Sequence, residues 1–371
     1  MERASQLHAF ELPLADIPHT AGDAALRYLE VRDGRASLGL EWHGVAPAEL
    51  GAASAPRPPA ERPTAISAPW CATLLSPAAS LEQLRRLLAF FAARDWRVHV
   101  VDTLSRHSER TVVRFQLDAA VANFAAAKHA CLQLAEQLEV DLVLQRGDSQ
   151  QPPQLAGFDM DSTLIDAEVI DELAKITGIG SQVAEITAAA MRGELDFRQS
   201  FKKRMALLQG FSEARLAEIA PQLPIKPGAA ELLRALRALG CKTAILSGGF
   251  TYFADYLQRE KLAVDFVHAN QLEFADGALT GNVIEPIVDG QRKRALLEQM
   301  AEELGLELQR VIAVGDGAND IPMLNLGALG IAIHPKPKVR LEAPQAICHF
   351  GLDAALYLFG LNDQQVEALV E

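Results

Sequence analysis

Apolar positions change their spacing several times along this chain, and each change marks an element. Leu81, Leu84, Leu88 and Phe91 recur every three or four residues, as do Phe124, Ala127, Cys131, Leu134 and Leu138. Both stretches are expected to be helices with one buried stripe. Around them Trp70 to Leu75, Trp96 to Leu104, Arg110 to Leu117 and Val140 to Leu144 read as strands. Further upstream Asp33-Gly34 is the dipeptide that favours a two-residue turn. Folding there pairs Val31 with Ala36 and Leu29 with Leu38 on one apolar face. A lone hairpin is marginal, so this one is expected to dock on another element. In the second half, short apolar runs at Leu155 to Phe158, Thr243 to Leu246 and Val311 to Val314 alternate with helical stretches. One of these carries Leu232, Leu233, Leu236 and Leu239, and another runs from Arg294 to Leu304. Apolar strands separated by amphipathic helices predict an α/β unit with a parallel sheet.

Composition divides the chain. Residues 46–63 are dominated by Ala, Pro and Gly, with Pro56, Pro58, Pro59 and Pro63 close together, which cannot hold a helix and reads as a linker. A second break follows at Gly147-Asp148-Ser149-Gln150-Gln151-Pro152-Pro153. The expected organisation is a leader with a hairpin over 1–45, the linker, a middle domain over 64–147, a large domain over 154–350 and a helical tail over 351–371. With 371 residues, two or three domains are expected. Acidic residues outnumber basic ones 48 to 35, for a net charge of −13. That balance speaks against binding nucleic acid or an anionic membrane, which needs a basic footprint. Cys71, Cys131, Cys241 and Cys348 are scattered, without the spacing of a zinc cage or a disulfide framework. The first residues lack the layout of a secretory signal, and the uncharged run Ile321 to Ile333 is too short to span a bilayer. A soluble, reducing, cytoplasmic setting is expected.

The large domain carries the chemistry. Asp159 and Asp161 stand two residues apart at the end of the strand Leu155 to Phe158, in Asp159-Met160-Asp161-Ser162-Thr163. At the carboxyl end of a parallel strand both acids face the crevice where α/β folds bind ligands. Like charges so close persist when a cation or a proton compensates them. Gly315-Asp316-Gly317-Ala318-Asn319-Asp320 follows the strand Val311 to Val314 and again puts acids at a strand end. Ser247-Gly248-Gly249 ends a third strand with a hydroxyl and free backbone N–H groups, which suit a phosphate oxygen. Lys293 opens a helix as a cation placed to reach the same crevice. Each piece alone has an ordinary alternative, a solvated turn, a capping serine or a surface lysine. Together, in this order, they do not.

These four pieces are similar to the motif set of the haloacid-dehalogenase-like phosphohydrolases. Asp159 to Glu168, Met191 to Met205, Ser247 to Phe250 and Gly315 to Pro322 resemble the phosphoserine phosphatase branch of that superfamily. The resemblance implies a Rossmann-like, doubly wound α/β core with a helical cap at about 166–224. The strand–helix order of the middle domain is the ferredoxin-like one and resembles an ACT-type α+β module. Whether that module binds an amino acid such as L-serine or joins two chains in a homodimer stays open, since topology alone does not fix function.

The resemblance further implies a Mg²⁺-dependent hydrolysis of O-phospho-L-serine, the last step of L-serine biosynthesis. Asp159 is expected as the nucleophile that forms an aspartyl-phosphate, and Asp161 as the acid and base for leaving group and water. Asp159, Asp316, Asp320 and the Asp161 backbone carbonyl are the expected metal site. Ser247, Gly248, Lys293 and Asn319 are expected near the phosphate. In the cap, Glu168 matches the family's acid for the substrate ammonium, Arg204 its carboxylate-binding arginine, and Met191 and Phe197 its apolar pocket positions. Phosphothreonine, phosphohomoserine and phosphosugars are rival substrates. From another class, an amino-acid sensor with a non-catalytic phosphatase scaffold is the rival. His334-Pro335-Lys336-Pro337-Lys338 lies just past the last motif, in a position to line the crevice, and its role stays open.

Overall fold

The computed structural model describes residues 6–17, 24–42, 58, 63–107, 109–147, 151–327 and 329–371. The expected linker lies outside them except for Pro58 and Pro63, as do 148–150 of the second break. The chain forms two compact units. One comprises Met1–Gln151, Gln345–Phe350 and Ala354–Glu371, the other Pro152–Pro344 and Gly351–Asp353. No helix among the described residues is long and apolar enough to cross a membrane.

The first unit is built on one antiparallel sheet. Its elements are β1 (Gln6–Pro13), β2 (Ala25–Arg32), β3 (Arg35–Trp42), β4 (Trp70–Ser76), α1 (Leu81–Ala92), β5 (Arg97–His107), β6 (Arg110–Asp118), α2 (Phe124–Leu138) and β7 (Asp141–Arg146). Strand order is β1-β3-β2-β5-β6-β4-β7. Its last four strands have the ferredoxin-like order, and both helices pack on that sheet. Leu84, Leu87, Phe91, Cys131 and Leu134 share one buried cluster with Ala72, Leu74, Val113 and Phe115. Ser80 starts α1 with a capping box, its hydroxyl accepting from Gln83 N while the Gln83 side chain returns to Ser80 N. The β2–β3 hairpin turns at Asp33-Gly34, both residues at positive φ, and pairs Val31 with Ala36 and Leu29 with Leu38. It docks on the sheet edge at β5, so the leader and the ferredoxin-like strands are continuous. The end of the chain returns to this unit. Cys348 N and His349 N donate to the buried Asp141 carboxylate, and Arg106 N donates to Asp363 Oδ2.

The second unit is α/β. It runs β8 (Leu155–Phe158), α3 (Val169–Thr177), α4 (Gly180–Met191), α5 (Phe197–Leu207), α6 (Glu213–Ile219), α7 (Ala229–Ala238), β9 (Lys242–Phe250), α8 (Thr251–Leu257), β10 (Phe266–Asn270), β11 (Leu272–Ala275), β12 (Ala278–Val283), α9 (Gly290–Glu303), β13 (Val311–Gly315), α10 (Ile321–Leu324), β14 (Leu329–Ile333) and α11 (Pro337–Glu342). The strands β10-β9-β8-β13-β14 lie side by side, every pair parallel. β8, β13 and β14 are buried at every residue, which is what a sheet covered on both faces requires. Crossovers between parallel strands need helices, and α7, α8, α9 and α10 supply them. The first crossover is interrupted by α3 to α6, the helical segment expected as a cap. The antiparallel pair β11–β12 joins it through Gly210 N donating to Leu279 O and Leu279 N donating to Phe211 O.

Candidate active site

The carboxyl ends of β8, β9, β13 and β14 open on one cavity of about 650 Å³. Asp159 and Asp161 leave the end of β8. Asp159 N donates to Val314 O, tying that end to β13, while Asp159 Oδ1 accepts from Met160 N at 2.8 Å. Asp161 Oδ1 accepts the first N–H of α3, from Val169, at 2.8 Å, which aims its other oxygen back toward β9. A Cβ built on Gly249 would stand 2.5 Å from Asp161 Oδ2, so the glycine is what lets the carboxylate settle there. Asp316 follows β13 and accepts from Thr163 Oγ1 at 3.2 Å.

Beneath the floor lies a fully buried ion cluster. Lys293 Nζ stands 2.7 Å from Asp159 Oδ1 and 2.7 Å from Asp320 Oδ1. Asp320 Oδ2 accepts from Asp316 N at 3.1 Å and Gly317 N at 2.9 Å, so this oxygen holds the loop while Oδ1 faces Lys293. Asp159 and Asp316 each keep one oxygen with no protein donor among the described residues. Burial first, then the charge on Asp320, pushes the Asp159 carboxyl well above the usual carboxylate range, against the pull of Lys293. Burial and then Glu168 push Asp161 up to about 7, opposed by the Val169 N–H. Burial, then Asp320 and Glu168, push Asp316 up to about 6. For Lys293 burial acts downward, but Asp159 and Asp320 outweigh it and hold the ammonium charged.

Oxygens of Asp159, Asp316 and Asp320 lie within 4.8 Å of one another. An all-carboxylate donor set with one ammonium among several acids suits a hard divalent cation. Asp159 and Asp316 present carboxylate oxygens to the cavity, and Asp320 completes the acidic triad from behind it.

The cap supplies the opposite wall. Glu168, Met191, Phe197 and Arg204 line the cavity with Gly248 and Asn319. Glu168 is the N-cap of α3, and its Oε1 accepts from Ser162 Oγ at 2.8 Å. Met191, at the end of α4, is 70% exposed. Phe197 stacks on Phe201 within α5, and a Cβ on Gly248 would come 2.8 Å from its Cζ. Arg204 sits in the last turn of α5 with its Nε buried and lacking a hydrogen-bond partner. Burial lowers its pKa, while Glu168, Asp171 and Asp161 pull it up.

Of the residues singled out from sequence, Asp159, Asp161, Asp316 and the six cap and loop residues above thus share one cavity wall. Ser247, Lys293 and Asp320 are 0% exposed and lie behind it. Ser247 Oγ accepts from Gly249 N at 2.8 Å and shapes the loop. Sequence reasoning missed Ile170, Phe250 and Val339 in the wall, and placed Lys336 and Lys338 near the crevice without a role; both line the cavity. It also missed Asn270, whose Nδ2 donates to Gly248 O and whose Oδ1 accepts from Val288 N, fixing the β9 loop from behind.

Residues 153–327 match the haloacid dehalogenase-like hydrolases. A phosphoserine phosphatase of Haemophilus influenzae is 44% identical over 234 residues, which are 63% of this chain and 74% of the relative. This chain belongs to the phosphoserine phosphatase family. Among solved structures of that family, a probable phosphoserine phosphatase from Vibrio cholerae superposes with a TM-score of 0.62 at 32% identity. It covers 82% of this chain and 88% of its own. A phospho-aspartyl intermediate analogue of phosphoserine phosphatase superposes with a TM-score of 0.52 at 35% identity, over 57% of this chain and 100% of its own.

Proposed function

We propose that this enzyme hydrolyses O-phospho-L-serine to L-serine and phosphate, with Asp159 as nucleophile. One observation carries the reading: a cavity with Asp159 and Asp161 at its floor also presents Glu168 and a half-buried Arg204 whose Nε has no hydrogen-bond partner. A phosphate ester bearing both an ammonium and a carboxylate satisfies all four. Phosphothreonine and phosphohomoserine offer the same charges and differ by a methyl or methylene, so selection among them rests on cavity shape.

In the proposed mechanism the free oxygen of Asp159 attacks phosphorus, forming the Asp159–phosphorus bond as the bond to the serine oxygen breaks. Asp161, protonated in a good fraction near neutrality, gives its proton to the leaving alkoxide. Water then attacks the aspartyl-phosphate while Asp161 takes its proton, releasing phosphate and restoring Asp159. Lys293 holds Asp159 Oδ1, so the same oxygen attacks each time. The Gly248 N–H would donate to an oxygen of the transferring group, while Gly249 N stays with Ser247 Oγ. Mg²⁺, held by Asp159 and Asp316 with the Asp161 carbonyl and with Asp320 behind them, would screen the charge of the phosphate. Arg204 orients the substrate carboxylate through its planar fork, and Glu168 faces the ammonium.

The same proposal includes a cytoplasmic setting, in keeping with the free thiols of the four cysteines. It also gives the ferredoxin-like unit a regulatory or dimerising role, which L-serine titration and light scattering would report. The test of the activity is phosphate release from phosphoserine, phosphothreonine, phosphohomoserine and a phosphosugar, with Mg²⁺ or EDTA, in wild type and Asp159→Asn. Preference for phosphoserine, lost with EDTA and in the variant, is expected. Activity spread evenly over the panel would overturn the substrate.

A further inference from the structure

We infer that Lys336 and Lys338 form an anion-capture pair on the wall of the active-site cavity, drawing in the dianionic phosphate of the substrate and retaining the phosphate released. This rests on the phosphatase reading above. The pair is placed by the fold: the chain leaves β14 at its carboxyl end, the same edge that carries Asp159, Gly248 and Asp316 on neighbouring strands. The turn is made at a cost. His334 has φ +43°, a left-handed conformation that side chains rarely adopt and that concentrates at functional sites. Pro335 and Pro337 then flank Lys336 and restrict its backbone, which is extended at φ −62° and ψ 153°. Pro337 opens α11 and delivers Lys338 two residues on.

Charge gives the pair its purpose. Asp159, Asp161, Glu168 and Asp316 all line the cavity, on a chain with a net charge of −13, and Arg204 is the sole other cation in the wall among the described residues. A dianion entering such a cavity meets repulsion unless cations offset it. Lys293 is already engaged by Asp159 and Asp320. Neither Lys336 nor Lys338 is paired with a carboxylate among the described residues, and both are exposed, so their charge is available to a visitor.

The test compares wild type with Lys336→Gln/Lys338→Gln and Lys336→Arg/Lys338→Arg, all loaded with Mg²⁺. At low ionic strength the Gln pair is expected to raise KM for phosphoserine and Ki for inorganic phosphate together, by about tenfold, with the change carried by KM rather than kcat. The Arg pair should restore both, and the difference should shrink at about 0.5 M salt, where exposed charges are screened. Unchanged KM and Ki, or a fall in kcat at constant KM, would overturn the inference. Calorimetric binding of inorganic phosphate separates this from the substrate assignment. If wild type proves inactive on phosphoserine, a tenfold weaker phosphate affinity in the Gln pair still supports the capture site, and equal affinities sink it.

Discussion

Arg204→Met removes the cap's half-buried cation while keeping most of the apolar stem, and its consequences for activity and for stability should run in opposite directions. In the free protein Arg204 is half-buried, its Nε has no partner, and burial is the largest influence on its pKa, acting downward. A buried donor left unpaired costs about 1–3 kcal/mol. Replacing it with an apolar chain of similar length should therefore leave Tm unchanged or raise it by about a few degrees. In the proposed reading the same group gains the substrate carboxylate. A bidentate, charge-assisted contact in a desolvated pocket is worth about 3 kcal/mol, or about a hundredfold in kcat/KM. The assay compares O-phospho-L-serine with O-phosphoethanolamine, which keeps the phosphate and ammonium and lacks the carboxylate. The variant should lose about a hundredfold on the first and less than about threefold on the second. Equal losses on both substrates, or a clear drop in Tm, would refute the reasoning and make Arg204 a structural residue.

Other consequences follow from the same geometry. Gly248→Ala puts a Cβ about where the Phe197 ring now lies, at 2.8 Å from Cζ; the ring must move, so KM should rise several-fold while Tm falls by about a few degrees. Mg²⁺ at a hundred times its Kd should stabilise the protein by about 2.7 kcal/mol in a thermal melt, and Asp316→Asn should abolish that gain. Asp265 accepts from Thr243 N at 2.9 Å and pairs with Lys242 at 2.7 Å; burial pushes its pKa up, but these bonds overcome it and leave it lowered. A carboxylate depressed on folding contributes stability above its unfolded pKa of about 3.9 and loses it as pH falls through the lower folded value. Asp265→Asn should thus cost about 1 kcal/mol in denaturant melts at pH 7, and the gap to wild type should close below about pH 3.

Local chemistry made much of this fold legible. Asp33-Gly34 needs positive φ at both residues, which dictates the hairpin and with it the pairing of Val31 with Ala36. Alternating apolar strands and amphipathic helices sufficed for the ferredoxin-like order and for the parallel sheet, and the acid motifs fall at strand ends because that is where such a sheet opens. Long-range pairing was another matter. β1 joins β3 with no turn between them to announce it. The β11–β12 hairpin carries the same signal as the first, Asp276-Gly277 at positive φ, yet nothing local says that it completes a cap some sixty residues upstream. Depth was equally hidden: Ser247, Lys293 and Asp320 have the residue types of ligands, and only packing puts them behind the wall. Lys336 and Lys338 were readable as two cations after an apolar strand, but their common cavity with Asp159 depends on β14 lying beside β13.

The buried cluster explains why a lysine with no view of the cavity can matter to its chemistry. A carboxylate offers two equivalent oxygens, and a nucleophile that attacks with either would need the phosphorus in two positions. Lys293 Nζ and Met160 N–H both hold Asp159 Oδ1, which leaves one oxygen facing the cavity. Lys293 could not do this alone, because a single buried ammonium would itself be destabilised. Asp320 supplies the second anion and is in turn satisfied by the N–H groups of Asp316 and Gly317, the start of the loop that carries the next cavity carboxylate. Asp159 from β8, the proposed nucleophile, and Asp316 after β13 are thereby positioned by one network of ion pairs and hydrogen bonds. Loosening any member should disturb both, which is why substitutions at Asp320 are expected to affect turnover although its side chain never meets solvent.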